Sequence, residues 1–329
     1  MNQPIPLYLH IGFHKTGTTA LQEFLLQNQA TLLQKGLLYP LVPLSGNGQQ
    51  AYAYAINDVP MKRLGHAPDK VELRRQFLAA VDQAQPKKII VSSENFGGAR
   101  EAKMAIGCKE FFAGFAVKVV VYVRRQDDYF CSVYQQRVKP PHSFAHGLDQ
   151  LDINWELDYP TRLQGWAEQF GKENILLRVY EKKQFAGGNI FTDFFQALGE
   201  EMGPDLIPLK EQLNVSLNPQ QTELLRQLNQ FQPQQRLRLV EFIREKYYNN
   251  DQANRLDFMS WEDRARFYKR FAATNRLLAQ TYLGRDQLFL NEVKFEKDYQ
   301  PVQVSQAEVR EFTLAHQDPY FKQTGEAAP

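Results

Sequence analysis

Cysteine is scarce in this sequence, which holds only Cys108 and Cys131 among 329 residues. Two cysteines make no disulfide framework, and without a CxxC or Cys/His pairing the chain offers no zinc site, so no metal is expected. Long apolar runs are missing too. The longest, around Val117–Val123 and Ile89–Val91, are strand-sized, far short of the roughly 20 residues of a membrane-spanning helix. Neither sign of charge dominates, with 39 Lys+Arg against 37 Asp+Glu. That balance removes the global positive field of a nucleic-acid scaffold, so any bound anion must be held by a local site. The N-terminus lacks a basic region followed by an apolar core, so a cleaved secretory signal is not expected and the reading is a soluble, cytoplasmic protein. What is present is ordinary: 43% hydrophobic and 23% charged residues, the balance of a globular chain.

Five apolar runs read as buried parallel strands: Pro6–Ile11, Leu37–Pro40, Lys88–Ser93, Lys118–Val123 and Asn174–Tyr180. They are apolar without alternation, as in a sheet covered by helices on both faces. Helical patterns fall between them. Thr18–Leu33 gathers Leu21, Phe24, Leu25 and Leu32 on one side, and Asp69–Gln83 gathers Val71, Phe77, Leu78 and Val81. Asp128–Val138 and Thr161–Gly171 follow. After about residue 185 only helices are expected, over Ile190–Leu198, Pro219–Phe231, Gln234–Tyr248 and Trp261–Leu283, with Asn218-Pro219 as a helix start. The pattern predicts an α/β three-layer fold, P-loop-like, with a mainly parallel five-stranded sheet. No linker separates two domains. The expectation is one domain over residues 1–299, its core sheet at about 5–200 and a helical layer at about 215–290, then a polar tail over 300–329.

The most informative stretch is His14-Lys-Thr-Gly-Thr-Thr-Ala-Leu21, between the first strand and the first helix. A strand–loop–helix turn aims several backbone N–H groups, and the positive end of the helix dipole, at one spot. Gly17 allows close backbone approach, Lys15 brings a cation, and Thr16, Thr18 and Thr19 bring hydroxyls. Gly12 and Gly17 have the spacing of GxxxxGK[ST], but Thr18 follows Gly17 and the lysine sits inside the loop. Three further groups stand out. Arg124 ends the fourth strand and Ser132 follows it by eight residues. Ser92-Ser93-Glu94 ends the third strand, where α/β sheets place their sites. Tyr180 ends the fifth. A surface salt bridge for Arg124, an N-cap contact for Glu94 and a sheet-capping ring for Tyr180 are the alternatives.

The loop resembles the 5′-phosphosulfate loop of sulfotransferases that use 3′-phosphoadenosine 5′-phosphosulfate, and is closer to the KTGTT form of carbohydrate and bacterial members than to PKSGTTW. The resemblance implies that Lys15 contacts the bridging oxygen and sulfonate, while Thr16, Gly17, Thr18 and Thr19 hold the 5′-phosphate. It implies that Arg124 and Ser132 hold the 3′-phosphate, since the family has this Arg-x7-Ser spacing. Glu94 falls where small-molecule members carry the histidine of Lys-Thr-His, so Glu94 is the expected base, with His14 second. Tyr180 is the expected adenine contact. The implied activity is sulfonyl transfer to a hydroxyl or amine of a carbohydrate or small metabolite, with neither metal nor nucleic acid involved. A P-loop kinase or ATPase and a non-catalytic nucleotide-binding module are the rivals. A kinase would need Mg²⁺ and a lysine directly after Gly17. The stretch His142–Trp166, with Trp155, Tyr159 and Trp166, suggests stacking on sugars, or a helix start with core aromatics.

Overall fold

The computed structural model describes residues 3–42, 45–98, 101–209, 216–231, 235–247, 256–290 and 302–315. Up to residue 197 the elements are, in chain order, β1 (Pro6–His10), α1 (Thr18–Gln27), α2 (Gln29–Gln34), β2 (Leu37–Leu38), α3 (Gln50–Asn57), α4 (Lys70–Ala84), β3 (Lys88–Ser92), α5 (Glu101–Phe111), β4 (Ala116–Val123), α6 (Gln126–Val138), α7 (Asn154–Leu157), α8 (Tyr159–Phe170), β5 (Ile175–Val179) and α9 (Ile190–Ala197). The five strands form one all-parallel sheet in the order β2-β3-β1-β4-β5. The expected α/β class and strand count are therefore observed.

Contacts divide the chain into two compact units. The first comprises Met1–Arg125, Asn154–Gln212 and Phe271–Asn291 and holds the whole sheet. Its centre is β1, flanked by β3 in register Leu9 to Val91 and by β4 in register Leu9 to Val119. Those three residues are fully buried, which explains the unbroken apolar runs. The second unit comprises Gln126–Ile153, Leu213–Arg270 and Glu292–Pro329. Within it α6 and the helices Pro219–Asn229, Arg236–Lys246 and Gln306–Ala315 enclose Tyr134, Val138, Leu224, Leu228, Leu239, Ile243 and Phe312. Asn218 forms the expected cap: its side chain accepts from Gln221 N–H, and the Gln221 side chain returns to Asn218 N–H. The helix Gln306–Ala315 falls inside the stretch expected as a polar tail, and it buries Val309 and Phe312. No described helix is long and apolar enough to cross a membrane.

Several helix expectations are corrected. Thr18–Leu33 is two helices, because the buried Asn28 turns its amide to Phe24 O (2.9 Å) and Ile207 O (3.0 Å) and accepts from Ile207 N–H (2.7 Å). Trp261–Leu283 is also two, Trp261–Lys269 and Ala272–Leu283. On α4 the buried side chains are Leu73, Phe77 and Val81, spaced by four, while Val71 and Leu78 are exposed. Helices α3 and α5 were not anticipated.

Under the loop that follows β1 lies a buried polar network. His10 Nδ1 pairs with Ser92 Oγ at 2.8 Å, Gln22 Nε2 donates to the same hydroxyl at 3.2 Å, and Ser92 N–H donates to Gln49 Oε1 at 2.6 Å. Burial holds the His10 pKa down at about 3 from an ordinary 6.5. The unfolded chain therefore takes up a proton that the folded chain refuses as pH drops below 6.5, so stability is full above that pH and falls toward about 3. Urea unfolding at pH 7 and pH 5 should show the parent losing about 2 kcal/mol more than His10→Gln over that interval. Equal losses would place the acid sensitivity elsewhere.

Candidate functional site

The carboxyl ends of β3, β1 and β4 lie side by side, and each hands on to a residue singled out in the sequence. From β1 the chain passes through the Gly12–Gly17 loop into α1. Lys15 (φ 63°) and Gly17 (φ 77°) are both in the left-handed region, with Thr16 between them. Alternating hands of this kind make successive N–H groups converge into an anion-binding concavity. Gly17 has a packing reason as well: a Cβ there would lie 2.7 Å from Ile190 Cδ1 and 2.9 Å from Tyr180 Cε2. No side chain caps α1 and no acidic residue occupies its first turn, so its N-terminal N–H groups and dipole face the loop uncompensated.

The threonines divide by role. Thr16 is buried and donates its hydroxyl to Phe13 O at 2.5 Å, which holds the loop closed. Thr18 Oγ1 is buried with no hydrogen-bond partner among the described residues. Thr19 is exposed. An orphaned hydroxyl at the base of an N–H cradle suits a phosphate oxygen.

Arg124, just past β4, donates from its guanidinium to Lys15 O at 3.2 Å and lies 5.7 Å from the centre of the Tyr180 ring. Tyr180 itself follows β5, its N–H donating to Val123 O at 2.7 Å. The sheet thus brings Lys15, Gly17, Arg124 and Tyr180 to one place. Ser132 lies on α6, in the second unit.

Past β3, Ser93 caps a short 3₁₀ turn, Glu94–Gly97, by accepting from Asn95 N–H. Glu94 opens that turn, and its Oε2 is 3.3 Å from His14 Nδ1. Both are partly open to solvent, at 39% for His14 and 41% for Glu94. The hydrogen bond from His14, and more weakly the charge of Lys15, hold the Glu94 carboxyl below its usual range, although burial opposes them. His14 and Glu94, the two candidates for the base, are therefore partners. They line a cavity of about 250 Å³ with Ala53, Tyr54, Asn57, Val59, Asn95 and Gly98.

Two bracing residues were not recognised as such in the sequence. Arg162, buried on α8, donates to Gly97 O (2.5 Å) and Glu156 O (2.8 Å), and its guanidinium lies 3.5 Å from the Phe13 ring centre. Tyr159 stacks on Phe13 and donates to Arg124 O at 2.5 Å. Tyr159 and Trp166 are fully buried, so of the three aromatics weighed for sugar stacking only Trp155, 46% exposed, reaches the surface. An arginine in the first turn of a helix, two residues after Pro160, carries no local signal of this role.

Among the described residues no cluster of three or more His, Cys, Asp or Glu side chains could hold a metal ion. No protein-family model matches the chain. A protein of Archaeoglobus fulgidus, described as uncharacterized, is 32% identical over 212 residues, covering 63% of this chain. The matched stretch spans 57% of that relative's length. Among solved structures, a sulfotransferase from Alicyclobacillus acidocaldarius aligns with a TM-score of 0.42 at 15% identity, over 63% of this chain and 89% of its own.

Proposed function

We propose that this protein transfers a sulfonyl group from 3′-phosphoadenosine 5′-phosphosulfate to a hydroxyl or amine acceptor. The observation that carries the reading is the loop at the end of the central strand. Its lysine lies within the left-handed concavity rather than after Gly17, and a His14–Glu94 pair stands beside it. The backbone N–H groups of Gly17 to Thr19 and the orphaned Thr18 hydroxyl would hold the 5′-phosphate. Arg124 and Ser132, by their sequence spacing, would hold the 3′-phosphate, and Tyr180 would meet the adenine.

The donor supplies a sulfonyl group on a phosphate that leaves with the electron pair of its broken S–O bond. Lys15 places positive charge where that pair collects. A carboxylate held below its usual range accepts a proton poorly near neutral pH, whereas imidazole is the side chain best suited to that task. We therefore assign His14 as the base, taking the acceptor's proton at Nε2, and Glu94 as the carboxylate that orients it through Nδ1. This reverses the order of the two candidates in the sequence.

Calorimetry with adenosine 3′,5′-bisphosphate, 5′-AMP and Mg·ATP tests the reading. The bisphosphate should bind at least about tenfold more tightly than 5′-AMP, since a charge-assisted arginine–phosphate contact contributes on that scale. Labelled sulfonate should leave the donor equally well in EDTA. Equal affinities, or Mg·ATP as the tightest ligand, would point to a nucleotide kinase instead.

A further inference from the structure

Phe13 and Gly97 join the two segments that carry His14 and Glu94. Phe13 is fully buried and immediately precedes His14, and Gly97 closes the 3₁₀ turn that Glu94 opens. The two pack so closely that a Cβ on Gly97 would lie 2.8 Å from Phe13 Cδ1 and 3.0 Å from Ile11 O. Arg162 spans this joint. Its guanidinium lies 3.5 Å from the centre of the Phe13 ring and donates to Gly97 O at 2.5 Å. The other terminal nitrogen donates to Glu156 O at 2.8 Å, which ties the group to α7. We propose that Arg162 is a positioning residue of the proton-accepting pair, holding His14 and Glu94 at contact distance through Phe13 and Gly97. The kinetic consequence rests on the sulfonyl-transfer reading; the spacing of the pair does not.

The pair cannot hold itself. A 3.3 Å contact between two side chains about 40% exposed is weak on its own, so their separation is set by the backbones that carry them. A guanidinium suits the task, because a planar fork can lie on a ring face and donate within its own plane at the same time. Lysine, a single point charge, cannot do both. Arg162 is 3% exposed and outside the cavity lining, so its effect on an acceptor passes through the residues it braces. Misplacing a reacting group by about 1 Å costs on the order of 10²-fold in rate. A residue that fixes the spacing of the pair therefore governs turnover without a part in donor binding.

The test compares Arg162→Met, Arg162→Lys and Gly97→Ala on the full chain, each with and without His14→Ala. Arg162→Met should lower kcat about 10- to 100-fold and leave the Kd for adenosine 3′,5′-bisphosphate within about twofold of the parent. Arg162→Lys keeps the charge and loses the fork, so it should recover little of that rate. With His14→Ala no base is left to misplace, and Arg162→Met should then cost less than about threefold. Gly97→Ala leaves Arg162 in place but wedges the joint, so it should show the same dependence on His14 even if Arg162→Met does not fold. A readout independent of turnover is the ¹⁵N resonance of His14 Nδ1, assigned by its loss in His14→Ala. It should move in Arg162→Met and Gly97→Ala toward its position in Glu94→Gln. An unmoved Nδ1 resonance, equal rate losses with and without His14, parallel losses of rate and bisphosphate affinity, or full activity in Arg162→Lys would each overturn the assignment. A parent that transfers no sulfonate would overturn the reaction instead, and the Nδ1 resonance alone would then decide the role of Arg162.

Discussion

Lys15→Ala should lower kcat by about 10²–10³ while leaving the affinity for adenosine 3′,5′-bisphosphate within a few-fold of the parent. The asymmetry follows from how the loop is built. The concavity proposed for the 5′-phosphate is made of backbone N–H groups, two left-handed residues and the buried Thr18 hydroxyl, none of which depends on the Lys15 side chain. Alanine keeps a Cβ, so the strain of φ 63° at this position is little altered. On the sulfonyl-transfer reading, the lost element is a cation whose interaction strengthens as charge builds on the departing phosphate oxygen. Only such an interaction lowers kcat without weakening ground-state binding. Single-turnover rates with labelled donor, together with calorimetry on the same preparation, separate the cases. Parallel losses in rate and affinity would make Lys15 an ordinary binding residue, and an unchanged rate would remove it from the chemistry.

The sheet was legible because β1, β3 and β4 are buried on both faces over most of their length, so apolar runs marked the strands with end errors of no more than two residues. The loop was legible for a local reason: Gly12, Lys15, Gly17 and the threonines are adjacent in sequence. The helix faces were less so. On α4, Val71 looked like a core residue yet sits exposed in the first turn, whereas Leu73 turns inward. The break at Asn28 depends on Ile207, 179 residues away, and no local pattern could reveal it. The same applies around the site. His14 and Glu94 were each visible as candidates, but their pairing across 80 residues needs β1 and β3 to be neighbours. Asn57 carried no signal, because α3 was not recognised as an element. Arg162 reaches Gly97 only through the packing of α8.

The division of labour between His14 and Glu94 makes the second large prediction. With His14 as base, His14→Ala should cost about 10²–10⁴ in kcat. Glu94→Gln should cost less, about 10- to 100-fold, because the amide still occupies the place of the carboxylate while its charge is gone. The pH profile carries the sharper information. A base must be unprotonated to act, so the parent's rate should fall on the acid side, and the substitution that abolishes this limb identifies the base. With His14 as base, Glu94→Gln still holds its base, so the acid limb should persist in that variant. If Glu94 were itself the base, the limb would vanish in Glu94→Gln, the 10²–10⁴ loss would belong to that variant, and His14→Ala would be the milder of the two. A purely structural pair gives a third pattern: near-parental rates in Glu94→Gln with a lowered melting temperature in both variants. Both side chains are about 40% exposed and outside the core, so replacing them should move the melting temperature little. Rate, acid limb and melting temperature measured on the same two variants therefore distinguish all three arrangements, and the loss of the acid limb in His14→Ala alone is the result that assigns the proton to the imidazole.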